Sequence, residues 1–409
     1  MGWHRSLSSQ IKVVAASTVG LSLGLSAVTV SSFGTFMLPL THEFGWQRGD
    51  ISLAITIFTL TTIVAAPIAG VMIDRWGIRR VLLPSIAAFA LALASLALMS
   101  GGIWRLYVGY ALLGAFGIGT ASVTYSRLLI QWFTERRGLA LGVALSGMGV
   151  GVAVLPSLAQ YIIDAYGWRG AYIGLAVVVF VVSFPIVALW GHEPALLGDA
   201  TAEMTDQTTV AALTGLSFGK AIRSKSVLLM IFAFLMLGVS TGAMPTHLVP
   251  LLIDRGTSPT QAALYASALG FSLVIGGLIV GFLLDRMSAA LLILIVIAGL
   301  VTGLVMLLSG VSGPLAIVAI ALVGFSIGAD GDFMPYLVSR YVGMNAFSRI
   351  TAILFGAFSL GIAVGPIVMG YGVDLTGSYA LGLKLLIGCS LLAALPFFLI
   401  GPYPALLEP

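Results

Sequence analysis

Long apolar runs alternate with short polar breaks along the whole chain. They fall at about 13–41, 49–73, 80–100, 104–130, 138–164 and 168–190, then at about 226–253, 260–284, 288–308, 313–338, 346–372 and 378–402. A helix needs about 20 apolar residues to cross the hydrocarbon of a bilayer, and each run meets that length. The pattern predicts an all-α membrane protein with twelve transmembrane helices, spans one to twelve. Between spans six and seven the chain turns polar. Glu193, Asp199, Glu203 and Asp206 are followed there by Lys220, Arg223 and Lys225. Residues 191–225 therefore read as a cytoplasmic linker between a six-helix bundle at 1–190 and a second at 226–409.

Composition supports this reading. Of 409 residues, 59% are hydrophobic and 8% charged, with a mean hydropathy of +1.10. A soluble domain carries about a quarter charged residues, so this chain cannot cover its surface in water. Fifty glycines suit helices packed closely in lipid. Cys389 is the only cysteine, which excludes an intrachain disulfide. The run after Arg5 and Lys12 is too long for a signal-peptide core and reads as an uncleaved first helix.

Charge orients the spans. With both termini in the cytoplasm, the inner segments hold Arg5, Lys12, Arg75, Arg79, Arg80, Arg136, Arg137, Lys220, Arg223, Lys225, Arg286, Arg340 and Arg349. The outer loops hold only Arg48, Arg105, Arg169 and Arg255. This is the positive-inside distribution. The net charge of +4 is accordingly a topology signal, and no nucleic-acid partner is expected.

The two bundles repeat each other. Met37–Glu43 matches Leu248–Asp254, and Gly151–Pro156 matches Gly361–Pro366. Tyr161 and Asp164 recur as Tyr371 and Asp374. The loop after span two, Gly70-Val71-Met72-Ile73-Asp74-Arg75-Trp76-Gly77-Ile78-Arg79-Arg80, has a weaker copy in Gly281-Phe282-Leu283-Leu284-Asp285-Arg286. Asp74, Arg75, Arg79, Arg80, Asp285 and Arg286 read as gates: helix-end charges that pair in one conformation and part in another.

The first of these loops resembles the loop between spans two and three of major facilitator superfamily transporters. Trp132–Gly151 resembles the start of span five in the monocarboxylate porter family. Glu43-Phe44-Gly45-Trp46 and His247-Leu248-Val249-Pro250-Leu251 resemble its bacterial branch. The resemblance implies two pseudo-symmetric bundles with a site between them near the midplane, a monocarboxylate-like substrate and proton symport. Many members carry an Arg in span eight where this chain has Gly277, so another group must hold an anion.

Ionisable residues inside spans are functional candidates by default. Arg127 in span four could hold a substrate carboxylate with its planar fork. It could equally reach the cytoplasmic interface or pair with an Asp of span ten. Asp330 and Asp332 lie in span ten; burial there disfavours the charged form, so either could carry a coupled proton. Their alternatives are a structural pair with Arg127 or a cap around Gly331 and Pro335. Two residues apart on a helix, they face different sides. His247 in span seven could bind the anion or carry the proton, or be a neutral histidine bonded to a neighbouring helix. Pro245 just before it is expected to break or kink that helix. Tyr125 and Tyr336 could donate hydrogen bonds to substrate.

No metal-ligand spacing, nucleotide-binding loop or catalytic constellation is visible, and no cofactor is expected. The expectation is a secondary transporter of a small organic anion, a single chain acting as a monomer in the cytoplasmic (inner) membrane and coupled to protons. Two rivals remain: a proton-coupled efflux antiporter for apolar compounds, and a membrane sensor on the same fold.

Overall fold

The computed structural model describes residues 7–133, 137–193, 215–284, 286–343 and 345–401. Asp285 and most of the linker lie outside these residues. Eleven helices are long and apolar enough to cross a membrane among the described residues. One of them, Gly138–Trp190, is two helices joined at Gly167, whose φ of 72° only glycine adopts easily. Twelve spans result.

Span one covers Ser8–Phe44, span two Arg48–Trp76, span three Ile78–Leu96 and span four Trp104–Trp132. Spans five and six lie on either side of Gly167. Spans seven to twelve are Lys225–Ile253, Pro259–Leu284, Ala289–Leu308, Pro314–Tyr341, Phe347–Thr376 and Ala380–Leu399.

Buried apolar side chains form two clusters. One is drawn from residues between Val13 and Val187, the other from residues between Ala221 and Ile400. Outside them, large apolar side chains such as Leu91, Leu98, Val123 and Phe398 point outward. That arrangement suits lipid and would be costly in water. The bundles meet along spans two and eleven, five and eight, and one and seven. Lipid is as apolar as the helices, so contact must come from close packing. A methyl group at Gly370 would lie 2.7 Å from the Cα of Gly49, and one at Gly270 2.6 Å from the carbonyl oxygen of Gly149. These glycines let the bundles touch backbone to backbone.

The breaks in the spans fall elsewhere than Pro245 suggests. Span seven is one continuous helix through Pro245 and Pro250. The expected break there is corrected: one missing N–H inside a densely packed helix does not end it. Spans one and four are the interrupted ones. Helix Leu7–Ser22 stops, and a short helix Leu25–Ser31 starts at the extended Gly24. In span four, Ala121 is extended between Gly117 and the helix Ser122–Trp132. The two interruptions meet, because the Leu25 N–H donates to Thr120 Oγ1 at 3.0 Å.

Candidate functional site

The ends of the molecule differ. At one end lie Arg48, Asp254 and Asp374, the Arg48 face; at the other lie Asp74 and Arg79, the Asp74 face. Polar contacts that join the bundles gather on and below the Arg48 face. Arg48 of span two donates to both carboxylate oxygens of Asp254 beyond span seven, at 2.5 and 2.8 Å, and to the Tyr379 hydroxyl at 3.1 Å. The Tyr371 hydroxyl donates to Asp50 at 3.0 Å. The Asp374 carboxylate accepts the backbone N–H of Arg48 at 3.1 Å and of Gly49 at 2.6 Å. Deeper in, Thr56 donates to the Ala363 carbonyl at 2.6 Å, and Ser267 to that of Ala153 at 2.5 Å.

His247 sits within this seam and is fully buried. Its Nε2 lies 2.9 Å from the Pro366 carbonyl oxygen and 3.1 Å from Ser52 Oγ. A carbonyl only accepts, so Nε2 carries the proton and donates to Pro366. Nδ1, 3.3 Å from the Tyr379 hydroxyl, then accepts from it. The imidazole thus joins spans two, seven and eleven with Tyr379 at the start of span twelve. It is satisfied on both sides and faces no open space in this conformation.

On the Asp74 face the Arg127–Asp74 ion pair lies within one bundle. Arg127 holds Asp74 at 2.5 Å, with side chains 44% and 62% exposed; the guanidinium does not reach Asp330 or Asp332. Arg79 donates to the Ala188 carbonyl at 2.8 Å, while Arg75 and Arg80 are exposed. Glu193 accepts the Ile78 N–H at 3.0 Å, which caps span three. Arg286 donates to the Phe282 carbonyl and lies over its ring.

Asp330 and Asp332 do face different sides. Asp330 is buried against Thr241 of span seven, and its Oδ2 has no hydrogen-bond partner. Asp332 is half-buried and faces span eight, where a methyl group on Gly281 would sit 3.6 Å from its Oδ2. Tyr336 is half-buried against the carboxy-terminal core. Tyr125 is fully buried in the amino-terminal bundle, its hydroxyl pressed against Gly20. In this conformation the side chain fills core space that Gly20 leaves.

A cavity of about 460 Å³ opens between the starts of spans one and five. Ile11, Val14, Val19, Leu139 and Val143 line it, with Gln10 and Thr18 as its polar members. The contacts of Arg48, Asp254, Asp374, Tyr371 and Tyr379 were not foreseen from sequence. The repeated Tyr-x-x-Asp of spans five and eleven was the available signal. The breaks in spans one and four were signalled only by Gly20, Gly24, Gly117 and Gly119.

The geometry matches known proteins. Over residues 19–366 the chain matches the family model of the Major Facilitator Superfamily. It is 28% identical over 377 residues to monocarboxylate transporter 11 of Mus musculus, covering 90% of this chain and 82% of that protein. It is 27% identical over 262 residues to YcxA, an MFS-type transporter of Bacillus subtilis (strain 168), covering 63% and 62%. Among solved structures, a bacterial homologue of the human lysosomal transporter Spinster, inward-facing and occupied, aligns with a TM-score of 0.72 at 15% identity over 97% of both chains. The nucleoside transporter NupG aligns with a TM-score of 0.74 at 14% identity, over 96% of this chain and 100% of that one. Twelve spans in two bundles, the repeat and the family match agree: this chain is a membrane transporter, not an enzyme, and belongs to the Major Facilitator Superfamily.

Proposed function

We propose that the protein carries small monocarboxylic acids together with protons across the cytoplasmic membrane by alternating access. One observation carries this reading. Among the described residues, Arg48–Asp254, Gly49–Asp374 and Asp50–Tyr371 bridge the bundles on the Arg48 face, and the Arg127–Asp74 ion pair of the Asp74 face stays inside one bundle. A molecule sealed at one end is one of the two states that alternating access requires. The positive-inside charge distribution supports an outer Arg48 face, and in this reading the sealed end faces out and the Asp74 face opens to the cytoplasm. The relatives named monocarboxylate transporters supply the substrate class.

Within this reading, Asp330 carries the coupled proton, because an anionic carboxyl without a counter-ion is costly inside a span. Asp332 and His247 are its candidate relays, and Tyr336 is a candidate hydrogen-bond donor to the acid. Arg127 receives the carboxylate by releasing Asp74. Asp74 with Arg75, Arg79, Arg80 and Arg286 gate the inner face; Asp285 belongs to the same proposal but lies outside the described residues.

A second reading, efflux of apolar compounds against protons, is favoured by the apolar cavity beside Val14 and Leu139. The test is uptake by proteoliposomes under an inward proton gradient, using aliphatic, hydroxy and aromatic monocarboxylic acids. Accumulation of one class that collapses with a protonophore supports the proposal, and Arg127→Gln should then abolish it. Proton-driven counterflow of apolar dyes, with no acid moved, replaces it with the efflux reading.

A further inference from the structure

The first N–H groups of any helix lack partners within the helix, and a side chain at the preceding position usually supplies one. Span two lacks that help. Gln47 occupies the cap position with extended backbone (φ −71°, ψ 150°), and its side chain makes no cap bond. The acceptor comes instead from the other bundle, because Asp374 takes the N–H of Arg48 and of Gly49. Tyr371, one turn before Asp374, adds its bond to Asp50.

The repeat gives a built-in comparison. Asp164 of span five is the counterpart of Asp374 and faces the start of span eight in the opposite bundle. It accepts the Thr260 hydroxyl at 3.2 Å and otherwise binds Gln160 of its own helix. It takes no backbone N–H among the described contacts. Span eight has its own cap, since Ser258 Oγ accepts the Gln261 N–H at 3.4 Å. One contact between the bundles therefore completes a helix end, and its counterpart touches a helix already capped.

We infer that Asp374 is a positioning residue for transport: it caps span two only while the Arg48 face is closed, and so biases the carrier toward that state. Opening the face separates spans two and eleven and leaves the N-terminus of span two without its acceptor. The bias is worth about fivefold in the ratio of closed to open molecules, the usual size of a helix cap. Gln47 is the second half of the device, because a residue that capped span two from its own chain would serve both states equally. The inference rests on the alternating-access reading and adds the element that sets its balance.

The test measures distances between spin labels at His42→Cys and Leu375→Cys, in full-length protein with Cys389→Ser, reconstituted in lipid discs. Asp374→Asn should move the population toward the longer, open distance by about fivefold. Gln47→Ser should do the same without loss of thermal stability, because it caps span two in both states. Asp164→Asn should change little. A purely structural Asp374 predicts the opposite for Gln47→Ser: added stability and unchanged distances, which overturns the inference. If the starting protein shows one fixed distance under every substrate and pH condition, alternating access itself fails. If it shows two populations that the variants do not shift, only the role of Asp374 fails.

Discussion

Ion pairs of similar short distance do not carry the same importance. Glu43–Arg169 has side chains 38% and 44% exposed and stays within the amino-terminal bundle. Exposed pairs of this kind are worth about 0–1 kcal/mol. Arg48–Asp254, at 15% and 32%, is more enclosed, uses both carboxylate oxygens and crosses between bundles. Arg48→Gln removes the paired bonds to the exposed Asp254, at a cost of about 0.5–1.5 kcal/mol to the closed face. The expected outcome is a larger open fraction in the label-distance measurement, with folded yield retained. Asp330 raises a different question. Its Oδ2 is buried without a partner, which suits a group that holds a proton. Asp330→Asn keeps the shape and removes the titration. Acid accumulation driven by a proton gradient should be lost while exchange of acid for acid persists; intact accumulation removes Asp330 from the coupling path.

At the level of helices, glycines in similar surroundings have different jobs. Gly370 lies at the seam between bundles, where a methyl group would meet the Cα of Gly49 at 2.7 Å. Gly238 lies between spans seven and eleven of one bundle, where a methyl group would meet the Phe358 carbonyl oxygen at 2.2 Å. Overpacking costs about 1–3 kcal/mol in either place, but the cost falls on different equilibria. Gly370→Ala should open the Arg48 face and leave the melting temperature nearly unchanged. Gly238→Ala should lower the melting temperature and leave the open fraction unchanged. Label distances and a thermal melt on both variants separate the two. The repeat also diverges at this level. Phe36 and His247 are equivalent in the two halves, yet Phe36 stacks on Tyr172 at 4.0 Å inside its bundle while His247 bonds across the seam.

For the whole molecule, closure of one face and access at the other should change together. Ser52 is buried in the seam, and Leu139 lines the apolar cavity and is 67% exposed. Single cysteines at these positions, with Cys389 replaced, should respond in opposite directions to substrate under a proton gradient. Reactivity at 52 toward an impermeant thiol reagent should rise as that at 139 falls. If both rise together, the molecule loosens as a whole and the two-state account is wrong.

Much of this was legible in the chain. Apolar length gave twelve spans because the bilayer fixes how long a crossing helix must be. The repeat marked two bundles because duplicated helices keep their spacing. Two residues advance a helix by about 200°, which turns Asp330 and Asp332 to different sides. What the chain could not give was contact between residues some 200 to 330 positions apart: Arg48 with Asp254, Asp374 with the N-terminus of span two, His247 with Ser52. Nor could it show that Arg127 would meet Asp74 instead of a carboxylate in span ten, or that Pro245 would leave its helix whole while spans one and four break. The contacts across the seam depend on how two bundles dock and the others on how helices pack within one bundle, and both are set by side-chain packing and hydrogen-bond geometry that no local pattern encodes.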